Sequence, residues 1–131
     1  MLRALILTLI ATPALAQDPG FVTLPRDERI AEVASPDLLR ALVTANVVGM
    51  NCQDFPLTQG EWALLTGTAY IVATKLGVMD TGAYDSDFYG PAFDLLDRPG
   101  TCASEGPKIG LLVAMLMEMG GDTVLLRPLG E

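Results

Sequence analysis

The chain holds only two cysteines, Cys52 and Cys102, and it opens with a stretch that predicts export to a compartment where they would be oxidised. Met1-Leu2-Arg3 gives a short positive start, and Ala4 to Ala11 is an apolar run too short to span a bilayer. Thr12 to Ala16 ends in Ala14-Leu15-Ala16, the small-x-small pattern a signal peptidase cleaves, with Gln17 following. Residues 1–16 therefore read as a secretory signal peptide rather than a transmembrane helix. Export to the periplasm would make a structural disulfide the favoured state of Cys52 and Cys102, with a free thiol pair or intermolecular bridges as the alternatives. A covalent tie between positions 50 apart would constrain every fold open to the chain.

Cleavage would leave residues 17–131, one domain of ordinary size with a single modest core. Half of the chain is hydrophobic, so it is not of a disordered composition. Loss of Arg3 with the leader takes the 8 basic residues to 7, against 16 acidic ones. Such a surface is repelled by nucleic acid and by anionic lipid. No further stretch reaches the roughly 18 apolar residues of a membrane span.

Histidine is absent. That removes Ser-His-Asp and Cys-His catalysis, His-ligated haem and the usual zinc sites. Two cysteines cannot supply a four-thiolate cluster, and their spacing is not a CxxC redox motif. No catalytic, cofactor-binding or metal-ligating residue is therefore assigned, and the protein is expected not to be an enzyme. The run from Asp80 to Asp97 carries five aspartates and no basic residue. Asp85-Ser86-Asp87 followed by Gly90 has the start of a calcium loop, but Tyr89 and Leu96 stand where further ligands would be needed. These residues read instead as helix caps and a solvated acidic face.

Periodicity predicts helices throughout. Arg26 to Val33 gives one or two turns after a loosely held segment, residues 17–25. Ser35 is placed as an N-cap with Pro36 in the first helical position, opening a helix to about Met50 whose core side is Leu38, Leu39, Leu42, Val43 and Val47. Thr58-Gln59-Gly60-Glu61 has the pattern of a capping box for a helix over 59–76, with Gly67 placed to admit another backbone. Asp85 or Ser86 is expected to cap a short helix through Tyr89, which Pro91 interrupts. Ser104 is expected to cap the last helix, with Cys102 in the loop before it. That helix is apolar nearly all round, which fits the centre of a bundle, with a partner-binding element as the alternative. Met115, Met117 and Met119 on it are a possible interaction surface, because flexible thioethers adapt to varied partners.

The expected architecture is a compact all-α bundle of four to five helices braced by one disulfide. Its parts are the signal peptide, an N-terminal loop and short helix (17–34), the braced domain (35–121) and a tail (122–131). Asn51-Cys52-Gln53-Asp54-Phe55-Pro56-Leu57-Thr58, Tyr84-Asp85, Pro91-Ala92-Phe93 and Pro99-Gly100-Thr101-Cys102 resemble a family of small exported alphaproteobacterial proteins of unknown function. The resemblance covers roughly residues 35–120. Members of that family often carry the name of an iron–sulfur component of NADH dehydrogenase. This chain lacks the four cysteines that such a cluster needs. The resemblance implies instead an accessory role on the periplasmic side of a respiratory membrane complex. In layout alone the chain is similar to the HdeA-type acid-stress chaperones, which are small, periplasmic, helical and disulfide-bonded. It departs from them in having only Lys75 and Lys108 as lysines. The expected function is a non-enzymatic interaction protein presenting an apolar patch behind an acidic rim to a protein partner. The alternative is an acid-activated chaperone: at low pH the carboxylates neutralise, and the positive charge left behind would loosen the domain.

Overall fold

A computed structural model describes residues 20–127; the signal peptide expected over 1–16, residues 17–19 and residues 128–131 lie outside the described residues. The described residues form five α-helices and no strand. These are α1 (Asp27–Val33), α2 (Pro36–Asn51), α3 (Gln59–Lys75), α4 (Gly90–Leu96) and α5 (Thr101–Glu118). A 3-10 turn (Met79–Thr81) and a π-helical turn (Tyr84–Tyr89) join α3 to α4. Cys52 and Cys102 are bonded to each other, so the all-α, disulfide-braced bundle is the fold of the chain.

The caps explain where two of the long helices begin. The Leu38 amide donates to Ser35 Oγ at 3.0 Å, and Pro36 occupies a position whose amide would have no partner anyway. At α3 the box is reciprocal. The Glu61 amide donates to Thr58 Oγ1 at 3.1 Å, and the Thr58 amide donates to the Glu61 carboxylate at 3.2 Å. Thr58→Ala is expected to cost about 1 kcal/mol, read by urea unfolding, while Thr58→Ser keeps the acceptor and most of the stability.

The centre of the bundle is α2, not α5 as the sequence pattern suggests. Leu39, Leu42, Val43, Val47 and Val48 are buried on it, and so are Thr44, Ala45, Asn46 and Gly49. It packs against α3, α4, α5 and the π turn. From Ala41 to Asn51 it carries no charged residue, so burial on every side strands no charge. The outer helix is α5, with Ile109, Val113 and Leu116 inward.

Four further local expectations are corrected. The last helix begins at Thr101, one turn before Ser104. Gly100 takes a left-handed backbone (φ 80°) that lets the chain reverse, and the Thr101 hydroxyl donates to the carbonyls of Arg98 and Leu95, tying α4 to α5. Ser104 Oγ donates to the Thr101 carbonyl at 3.2 Å rather than capping, and Cys102 lies in the first turn of α5 rather than in a loop. Neither Asp85 nor Ser86 caps the turn after them. Ser86 Oγ donates to Asp87 at 3.3 Å, and the π turn runs directly into α4 with Pro91 in its first turn. Residues 20–25 are packed rather than loose: Val22 is 2% exposed.

The two ends of the domain pair with each other. The Asp122 amide donates to the Thr23 carbonyl at 2.9 Å, the Leu126 amide to Phe21 at 2.7 Å, and the Arg26 amide to Met119 at 3.1 Å. The tail crosses the start of α3 at Gly60, where a Cβ would collide with the Thr123 backbone. Gly60 thus takes the backbone approach expected at Gly67, which instead receives the Leu24 side chain.

Directly after α2, loop 52–58 acts as a clasp. Leu57 lies on Gly49 of α2 and Phe55 lies on Gly106 of α5. The disulfide joins the same two helices, with Cα atoms 5.6 Å apart.

Candidate functional site

Because α2 takes the centre, α5 keeps an outward face. Gly110, Leu111, Ala114 and Met117 are exposed along it, with Leu111 at 75% and Met117 at 44%. Beside this face a groove of about 550 Å³ runs between α2 and α5. Ala41, Thr44 and Ala45 of α2 form one wall, and Ile109, Leu111, Leu112 and Met115 of α5 the other, with Leu95 of α4 also lining it. The small alanines of α2 open the space and the long side chains of α5 make it apolar. An exposed leucine standing at an apolar groove marks a surface suited to contact.

The rim is charged in both signs, not acidic. Arg40 Nη1 lies 2.8 Å from Asp37 on α2, and Lys108 Nζ lies 3.1 Å from Glu105 on α5. Each pair spans one helical turn at the surface, so it contributes little to stability and can exchange partners at small cost. Arg40 also stands over the Phe88 ring at 5.9 Å.

The three methionines are divided among different environments. Met115 lines the groove, Met117 is exposed to solvent outside it, and Met119 is 4% exposed in the core. The structure therefore places only Met115 at the groove; Met117, two residues on, lies on another side of the helix, and Met119 is in the core. Leu111 and the alanines of α2 were missed by reasoning from sequence. The signal was present at Leu111, which falls off the Ile109–Val113–Leu116 stripe and has no charged neighbour opposite.

Other clusters offer less. A second hollow of about 480 Å³ lies beside Cys102, bordered by Phe55, Leu96 and Arg98. Cys52 itself is 3% exposed. Among the described residues no group of three or more histidines, cysteines or carboxylates is arranged to hold a metal ion. Asn46 Nδ2 donates to the Tyr89 hydroxyl at 3.3 Å, while Asn46 Oδ1 is buried without a partner. Burial raises the Tyr84 hydroxyl well above the ordinary tyrosine range, helped by its hydrogen bond to Tyr89 and by the charges of Tyr89 and Asp85. The two rings meet edge to face at 5.1 Å, so this cluster fastens the π turn.

Among the described residues no helix is long and apolar enough to cross a membrane. Comparison of the chain with protein-family models, with curated proteins and with solved structures found no match.

Proposed function

We infer that the protein is a non-enzymatic interaction protein of the periplasm, and that it works by docking another protein chain on the outward face of α5 and the groove beside it. The observation that carries this reading is Leu111, the most exposed large hydrophobic side chain among the described residues, set at the edge of an apolar groove. Contact surfaces combine such an apolar centre with a polar rim, as the groove does with its two ion pairs. The disulfide supports the extracytoplasmic part of the reading, because such bonds persist where the surroundings are oxidising. A respiratory membrane complex, implied by the family resemblance, is the first assembly to test.

The test places a photo-crosslinking amino acid at Leu111 and, as a control, at Tyr70, which is exposed on α3 away from the groove. Tagged protein is then recovered after irradiation from native membranes and periplasm. One dominant protein adduct at position 111 and none at position 70 is the expected result. Equal labelling at both positions, or no adduct at 111, would sink the docking role.

A further inference from the structure

We propose that the chain docked on this face is a second copy of the protein, in a two-fold dimer that seats Leu111 of each copy in the groove of the other. The inference rests on the docking role just given and adds the occupant.

A two-fold interface needs a surface that fits itself, with a projection and its receptor on one face. Here the projection is Leu111 and the receptor is the apolar groove that begins at its own foot. The helix around the projection admits close approach. Gly110 has open space where a Cβ would stand, with nothing within 4 Å, and exposed Ala114 follows one turn later.

Charge selects the same occupant. The chain carries a formal net charge of −8, so two copies repel across most orientations. At the groove the balance is different, because Asp37, Arg40, Glu105 and Lys108 sum to zero. A partner of one strong sign would be matched by a rim of the opposite sign. A rim of both signs in balance suits a surface of the same composition. Turned through the two-fold, Arg40 and Lys108 of each copy face a rim that again holds two carboxylates. This face is therefore where two acidic copies can meet without net repulsion, and where contact covers the leucine.

The test is sedimentation velocity of the mature, oxidised chain over a wide concentration range. The wild-type chain is expected to dimerise, and Leu111→Asp, an exposed change that leaves the fold intact by circular dichroism, is expected to weaken association about ten- to a hundredfold. Arg40→Glu/Lys108→Glu is expected to be monomeric alone and to pair again when mixed with Asp37→Lys/Glu105→Lys. Dimerisation that Leu111→Asp leaves unchanged, or a wild-type chain monomeric at every concentration, would overturn the inference. A monomer that still crosslinks through position 111 to a different protein would overturn it while leaving the docking role standing.

Discussion

Replacing Cys52 and Cys102 together with alanine is expected to lower the stability of the domain by about 4 kcal/mol, the chain-entropy value for a loop of this length. For a domain of this size that corresponds to a fall in melting temperature of roughly 15–30 °C. The effect is large because the tie joins α2, the centre of the bundle, to α5, which forms one wall of the groove. The clasp residues Phe55 and Leu57 pack on the same two helices, but without the bond their packing must hold an open loop. Thermal unfolding followed by circular dichroism, with and without reductant, is the check. A shift of only a few degrees would mean that the noncovalent clasp suffices.

The placement of the two sulfurs predicts the kinetics as well. Cys102 lies in the first turn of α5, where the helix dipole favours a thiolate, so it is the better leaving group. Expelling it requires attack on Cys52, which is 3% exposed. Attack on the more open Cys102 would expel a thiolate into an apolar site, which raises its energy. Reduction of the native protein is therefore expected to be slow and to accelerate with urea, because opening of the fold comes first.

The sequence carried the start of each long helix only where a side chain makes the cap. Ser35 and the Thr58–Glu61 box were legible because the hydrogen bonds are local, spanning three residues. The start of α5 was not, because Gly100 and Thr101 set it through backbone conformation and through the carbonyls of α4. The order of burial was legible in part. Apolar content made α5 look central, yet α3 and α5 hold charge-free runs as well as α2 (62–74 and 109–117), and the centre is set by which helix the others pack upon, as α3, α4, α5 and the π turn do on α2. The candidate site followed the same rule. Met115 could be proposed from its own chemistry, whereas Leu111 gained meaning only once α2 had taken the core and left α5 facing outward. Which glycine admits a backbone depends on where the chain ends run, and helical periodicity holds nothing about that.

Gly60→Ala is expected to destabilise the domain by about 1–3 kcal/mol, the usual cost of forcing an added methyl into packed surroundings. By propensity alone the change should help, since alanine is the better helix residue by about 1 kcal/mol. The space decides the sign. A Cβ at position 60 meets the backbone carbonyl of Thr123, and that carbonyl cannot swing aside as a flexible side chain would. Moving it strains the bonds from the Asp122 amide to Thr23 and from the Leu126 amide to Phe21, which hold the two chain ends together. Gly110→Ala is the control, because a Cβ there meets nothing within 4 Å. It is expected to stabilise the monomer by about 0.5–1 kcal/mol. Urea unfolding gives both numbers, and amide exchange locates the damage, with Asp122 and Leu126 losing protection in Gly60→Ala alone. Equal stabilisation by both changes would mean that the tail does not lie on α3. The consequence reaches the docking face, because the tail follows directly from Met119, whose carbonyl accepts from Arg26 and whose side chain sits in the core. Freeing the tail loosens that residue and the last turn of α5, so Gly60→Ala should also weaken association through Leu111 while leaving the groove residues themselves unchanged.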